Sequence, residues 1–215
     1  MTTRKLFLSL TFIGVISSSY GQNISKRLFS PEKIGLEYTQ ANEKSFLFDD
    51  PDYFYKSNII KLQFYYPIKK WRGFDFTLIA QPQYQFIKHQ LYNEQFVLPT
   101  EENYLEKRVK YTKLKKLSIT ALEFTIDAKK KILKNTNFFI QFGLGFAIID
   151  TSTERLIGGF TFLENLNTGI EVLLNTKIAI RLHAGIGHVS NLNFQLPNAG
   201  YNMFNSGLSI QYKLK

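Results

Sequence analysis

Apolar and polar residues alternate with a period of two along most of the chain. The alternation is clearest between residues 137 and 148, where one face carries only large apolar side chains: Phe138, Ile140, Phe142, Leu144, Phe146 and Ile148. The opposite face carries small and polar residues, with Phe139 as the exception. A period of two indicates a β-strand. A continuous apolar face opposite a polar one is typical of a strand with lipid on one side and a packed polar lumen on the other.

The same pattern recurs in further segments of the chain. Clear segments cover 74–86, 122–126, 166–174, 178–186 and 208–214, and weaker ones lie near 33–41 and 58–67. Eight strands allow an antiparallel sheet to close on itself, which satisfies every backbone N–H and C=O group inside a bilayer. The sequence therefore predicts an all-β fold, an eight-stranded antiparallel transmembrane β-barrel.

A soluble lipocalin-like barrel is the alternative fold, and its apolar side would face inward. The polar faces of the predicted strands carry isolated Glu, Asp, Arg and Gln side chains. Such side chains are able to pair with one another in a narrow lumen, while the uninterrupted apolar faces suit a lipid environment. This distribution favours the membrane barrel.

The lengths of the predicted connections indicate how the barrel is oriented. The connections near 68–73, 129–136 and 174–176 are short, whereas those near 42–57 and 88–115 are long. Outer-membrane barrels combine short periplasmic turns with longer external loops, so the N-terminus is expected on the periplasmic side. The second long loop carries a basic run within 107–116, which is either an ordinary solvated loop or a rim facing the phosphates of the outer leaflet.

The start of the chain predicts export. Arg4 and Lys5 precede an apolar run over 6–16, and Ser19 and Gly21 are small residues at the −3 and −1 positions before Gln22. This pattern predicts a cleaved signal peptide over 1–21 rather than a buried helix, and a barrel domain over 22–215.

The charge and the cysteine count narrow the partners further. The formal net charge is +10, of which Arg4 and Lys5 contribute two, and there is no cysteine to form a disulfide. A basic protein favours a polyanionic partner. Because the chain is exported, we expect that partner to be a phosphorylated lipid surface and not a nucleic acid.

One segment near the end of the chain carries residues suited to nucleophilic chemistry. His188 and Ser190 continue the parity of the apolar positions in 178–186, and Asn202 shares the parity of the apolar positions of the last strand. All three are therefore expected on the outer wall of the barrel, at the external end of one hairpin. Polar groups facing lipid are costly unless they lie at the interface or partner one another.

These residue types fit acyl transfer. A serine hydroxyl becomes a useful nucleophile when a neighbouring base takes its proton, and the base needs a third group to fix its tautomer. Ser190 is then the candidate nucleophile, His188 the base and Asn202 the orienting group. Asn191 and the backbone N–H of Asn198 are candidate donors to the oxyanion of a tetrahedral intermediate. The plainer interpretation is that these residues mark the rim, where polar side chains are common.

The longer pattern, His-x-Ser-Asn followed by Pro-Asn-x-Gly within residues 188–200, resembles the lipid A 3-O-deacylase (PagL-like) family. The resemblance implies an outer-membrane barrel esterase. Such an enzyme removes the ester-linked 3-hydroxyacyl chain at position 3 of lipid A, so its substrate is lipopolysaccharide at the outer leaflet. It also implies that Ser190 is the nucleophile, His188 the general base, and Asn191 and Asn198 the oxyanion-hole positions.

The chain departs from the family pattern at Asn202, where the family has an acidic residue. An amide orients an imidazole but does not stabilise an imidazolium by charge. Either Asn202 suffices at a reduced rate, or a carboxylate reaches in from a loop, or activity has been lost. Glu171 and Glu123 are poor substitutes because their parity directs them into the lumen.

Two other functions stay open at this point: a non-enzymatic barrel with a structural or adhesive role, and hydrolysis of another lipid ester, such as that of a phospholipid.

The three histidines do not cluster with carboxylates, so we expect neither a metal site nor a cofactor. His183 has lumen parity and is expected to be a packed polar residue. A filled eight-stranded barrel is too narrow for a general pore.

Overall fold

The computed structural model of the chain describes residues 30–214. Eight antiparallel strands form one closed barrel, in which each strand pairs with its sequence neighbours and the first pairs with the last. The strands are β1 (Lys33–Asn42), β2 (Tyr53–Trp71), β3 (Phe74–Leu91), β4 (Lys115–Leu133), β5 (Thr136–Ile149), β6 (Gly159–Leu173), β7 (Ile178–Ser190) and β8 (Tyr201–Lys213). The predicted fold class is confirmed. The predicted signal peptide, 1–21, lies outside the described residues.

Short and long connections alternate around the barrel, as the sequence predicted. The short turns, which define the turn end of the barrel, cover 72–73, 134–135 and 174–177; the loops at the opposite loop end cover 43–52, 92–114, 150–158 and 191–200. The longest loop contains a 3₁₀ turn (Glu94–Phe96) and a helix α1 (Tyr104–Tyr111), neither of which the pattern predicted. No helix within residues 30–214 is long and apolar enough to cross a membrane.

Several strands are longer than the alternation of residue types indicated. β2 continues to Trp71, so the turn predicted over 68–73 contains only Arg72 and Gly73. β6 begins at Gly159 and not near residue 166. A hydrogen-bond ladder needs only backbone groups. Pairing therefore continues at the strand ends, where the contrast between a lipid face and a lumen face is lost.

The outward face of the barrel is a belt of large apolar side chains. Phe142 is 58% exposed, Leu182 51% and Leu208 50%, although all three belong to regular strands. In water such a surface would promote association, because contiguous apolar patches of this size are rarely left uncovered. The belt instead matches the hydrocarbon core of a bilayer, as expected for an outer-membrane barrel.

The lumen toward the turn end is filled by paired charges. Lys61 Nζ lies 3.1 Å from Glu123 Oε2 and 3.5 Å from Glu37 Oε1, and all three side chains are buried. Further along, Arg181 Nη2 lies 2.6 Å from Asp127 Oδ1. Buried charges require such partners, because an unpaired one carries a large desolvation cost. The packed polar lumen that the sequence predicted is present in this part of the barrel.

The lumen toward the loop end holds an apolar core, which the sequence did not predict, beside the buried pair of His89 and Glu154. Tyr55 and Tyr201 stack with ring centroids 4.5 Å apart, beside the buried side chains of Leu163 and Val189. Val189 and Tyr201 are opposite one another in the register of β7 and β8. This interior core therefore anchors the last hairpin from inside and fixes the residues that point outward beside it.

Candidate active site

The last hairpin directs two of its polar residues, His188 and Asn202, to the outer wall of the barrel. Along β7 the buried Arg181 and His183 face the lumen, whereas Leu182 and Ile186 are exposed on the outside. Side chains alternate along a strand, so His188 points outward with Leu182 and Ile186. This is the orientation that the sequence predicted.

His188 and Asn202 form a hydrogen-bonded pair across the hairpin. They are opposite one another in the β7–β8 register, and His188 Nδ1 lies 2.7 Å from Asn202 Oδ1. An amide oxygen only accepts, so in the neutral imidazole this contact places the ring proton on Nδ1 and leaves Nε2 without one. An imidazole in this tautomer is ready to accept a proton at Nε2, which is the state a general base requires.

Gly200 makes room for the free edge of the imidazole. It immediately precedes Tyr201, which pairs with Val189 at the loop end of the β7–β8 register, and its φ is +67°. A Cβ atom on Gly200 would lie 3.1 Å from His188 Cε1 and 3.4 Å from Nε2. The imidazole therefore extends from His188 toward Ser190 and passes over Gly200. A side chain on residue 200 would crowd it there.

Ser190 occupies the last position of β7, opposite Phe162 of β6. It is only 6% exposed, and its carbonyl oxygen accepts a hydrogen bond of 2.9 Å from Thr161 Oγ1. Within the described residues no hydrogen bond joins the Ser190 hydroxyl to His188. Such catalytic hydrogen bonds are commonly long before substrate binds and shorten in the complex.

The loop 191–200 is held by its own asparagines. Asn191 donates its backbone N–H to Asn198 Oδ1 at 2.7 Å and its side-chain Nδ2 to the carbonyl of Gln195 at 2.8 Å. Asn198 Nδ2 donates in turn to Asn193 Oδ1 at 3.1 Å. The side chains of Asn191 and Asn198, the two positions predicted for the oxyanion hole, are therefore engaged in shaping the loop.

The backbone N–H of Asn198 is a donor that this loop leaves available. It donates to no residue between 30 and 214, although the chain on both sides is pinned to the neighbouring loop. The N–H of Ile157 donates to the carbonyl of Pro197, and the N–H of Ala199 donates to the carbonyl of Arg155. A rigid loop with a free N–H is suited to receive a developing oxyanion.

Two outward-facing neighbours of the site were missed from the sequence. Glu164 is directly opposite His188 on β6, and Phe162 is directly opposite Ser190. The signal was available, because Phe160, Phe162, Glu164 and Leu166 continue the alternation, but the strand was predicted to begin only at 166. Among residues 30–214 no group of His, Asp and Glu side chains is arranged to hold a metal ion.

Comparison with known proteins identifies the family. The family model of lipid A 3-O-deacylase (PagL) matches residues 33–211, which is nearly the whole described barrel. The chain belongs to the lipid A 3-O-deacylase (PagL) family. The resemblance inferred from residues 188–200 is thereby confirmed, as are the outer-membrane location and lipid A deacylation as the function of the family. The match gives less support to a non-enzymatic barrel.

A solved structure supports this fold. The crystal structure of the outer membrane enzyme PagL is similar to the chain with a TM-score of 0.53 at 11% identity, covering 80% of this chain and 97% of PagL. Neisserial surface protein A (NspA) gives a TM-score of 0.44 at 10% identity, covering 85% of this chain and 96% of that protein. No curated protein sequence matches the chain.

Proposed function

We propose that this lipid A 3-O-deacylase family member cleaves its ester by nucleophilic catalysis at Ser190, with His188 as the general base. The observation that carries the proposal is the His188 Nδ1–Asn202 Oδ1 hydrogen bond of 2.7 Å on the outer wall. It fixes the tautomer of a histidine two residues from a serine, at a place where an isolated polar group would be costly. The pair therefore places an oriented imidazole beside the serine, which is what nucleophilic catalysis requires.

The surroundings of Ser190 suit an acyl chain that stays in the bilayer. Phe162, opposite Ser190, packs against Phe160 with ring centroids 4.9 Å apart and against Phe194 of the loop at 6.1 Å. Leu196 and Phe194 are 76% and 70% exposed, so this loop offers apolar side chains to a surrounding lipid. An acyl chain lying along this wall needs no cavity, because lipid already surrounds the site.

The reaction then follows from these positions. Ser190 Oγ attacks the ester carbonyl as its proton passes to His188 Nε2, and the resulting oxyanion accepts a hydrogen bond from the Asn198 N–H. The sugar oxygen leaves with the proton from His188, and the acyl group stays on Ser190. Water then attacks this second ester, gives a proton to His188, and releases a 3-hydroxy fatty acid as Ser190 regains its hydrogen.

The test is mass spectrometry of lipid A after incubation of purified lipopolysaccharide with the folded barrel in detergent. We expect the intact protein to remove one 3-hydroxyacyl chain. Ser190→Ala and His188→Ala should each lower the rate roughly 10³-fold or more, because members of such a pair act as a unit.

Ser206→Ala is the matched control. Ser206 is exposed on the same outward face of β8, opposite Ala184 and away from the site. It should leave the rate unchanged. Release of the acyl chain by Ser190→Ala at the rate of the intact protein would refute the mechanism. Release of fatty acid from added phospholipid, with lipid A left intact, would refute the assignment of lipid A as the substrate.

A further inference from the structure

The residues at the depth of His188 form one row across four strands. We call this the site row: Leu144 of β5, Glu164 of β6, His188 of β7 and Asn202 of β8, each opposite the next in register. All four lie at outward positions of their strands. His188 is therefore flanked by an amide on one side and by a carboxylate on the other.

Glu164 is an unusual residue for its position. It is the only charged side chain on the outward face of β6, between Phe162 and the exposed Leu166, and its other cross-strand neighbour is Leu144. A carboxylate on a lipid-facing surface is expensive unless a polar partner compensates it. The residue directly opposite Glu164 on β7 is His188. Its Cβ is expected about 5 Å from that of Glu164, as for any directly opposed pair.

The two flanking residues meet different needs of a catalytic histidine. Asn202 holds Nδ1 at 2.7 Å and so fixes the tautomer, but it carries no charge to stabilise an imidazolium. Glu164 makes no ion pair within 4.0 Å of His188 in this structure, so its influence on the ring is through the electric field. Resting on the function proposed above, we propose that Glu164 is the positioning residue that supplies the negative charge which Asn202 lacks.

Other groups around His188 do not supply that charge. Asn202 and Leu144 are neutral, and the loop 191–200 contains no ionisable side chain. Beyond Gly200, Arg155 Nε donates to the Gly200 carbonyl at 2.8 Å, and Arg155 Nη1 lies 3.7 Å from Asp50. Because Arg155 and Asp50 are unaltered by a change at Glu164, that change isolates the contribution of its carboxylate.

Glu164→Gln tests the proposal, because it removes the charge and keeps the shape. Two unit charges about 6 to 7 Å apart, in surroundings of intermediate polarity, change an equilibrium roughly tenfold. We expect kcat on lipopolysaccharide to fall about tenfold with KM unchanged. Since a carboxylate favours the imidazolium, its removal should also move the acidic limb of the pH–rate profile to lower pH.

A second variant distinguishes charge from shape. Asn202→Glu in the Glu164→Gln background places a carboxylate on the other side of the ring, and should restore most of the lost kcat and return the acidic limb upward. The same substitution in the intact protein should increase kcat less, because Glu164 already provides a charge. Glu102→Gln, in the exposed part of the 92–114 loop, makes the same change in net charge and should alter neither property.

The outcomes separate this inference from the proposed function. Glu164→Gln should unfold in urea no more easily than the intact protein, since it removes a charge from a lipid-facing surface. An unchanged kcat and an unchanged acidic limb in Glu164→Gln, with Ser190→Ala inactive, would overturn the role of Glu164 and leave the mechanism standing. A loss of activity that tracks a loss of folded barrel would also overturn it.

Discussion

Replacing Gly200 by alanine should damage the site by crowding its histidine. Gly200 has a φ of +67°, a left-handed conformation that costs a residue with a Cβ about 1 to 2 kcal/mol. The new Cβ would also lie 2.6 Å from the carbonyl oxygen of Val189 and 3.1 Å from His188 Cε1. The first contact is with backbone, so no side-chain rotation relieves it.

The loop or the imidazole must therefore move, and both belong to the site. A displacement of about 1 Å at a catalytic group commonly costs up to ~10²-fold in rate. We expect Gly200→Ala to lower kcat/KM for lipid A deacylation about 10- to 100-fold per folded molecule. The free energy of unfolding in urea should fall by about 1 to 3 kcal/mol.

Gly73→Ala is the matched control for backbone strain. Gly73 has a φ of +81°, and nothing lies within 4 Å of the Cβ that alanine would add. It sits in the turn between β2 and β3, at the opposite end of the barrel. The Gly73→Ala variant should lose a similar amount of stability to backbone strain and should keep its full activity. If Gly200→Ala deacylates lipid A as fast as Gly73→Ala, the packing of Gly200 against His188 has no catalytic consequence.

Two further predictions concern the barrel wall and the lumen. Lys61→Met should lower the free energy of unfolding by about 3 to 5 kcal/mol, because Glu123 and Glu37 would be left buried without their cation. Adding Glu123→Gln should recover part of that loss in the same urea titration, and an equal loss in both would contradict the pairing. Phe142→Lys puts a charge in the lipid-facing belt and should cost about 2 to 4 kcal/mol in bilayers. Phe142→Leu should cost far less, and equal costs would argue against lipid contact there.

The alternation of residues along the chain was sufficient to predict the architecture. Side-chain parity is a local property of an extended strand, so each segment reveals its own two faces without knowledge of its neighbours. That is why the outward direction of His188 and the inward direction of Glu171 and Glu123 were both predicted correctly. The motif in residues 188–200 was likewise contiguous, which made the family recognisable from sequence alone.

The ends of the strands and the nature of the loop-end lumen were not predicted. The strand containing Glu164 was expected to begin at residue 166, because Leu163 interrupts the contrast between an apolar and a polar face. Leu163 faces inward, but it enters the apolar core of the loop end, beside Tyr55 and Tyr201. The rule that the lumen is polar failed there, since aromatic and aliphatic side chains fill most of that part of the barrel.

The cross-strand partners of the site were decided by tertiary structure. Parity indicates which face a residue occupies but not its height on the wall, because the height depends on the register between strands. Only the register of β6, β7 and β8 brings Glu164 and Asn202 to the two sides of His188. The sequence by itself determined an outer-membrane barrel with a serine and a histidine outside. The pairing of strands far apart in the chain determined which charges and amides that histidine meets.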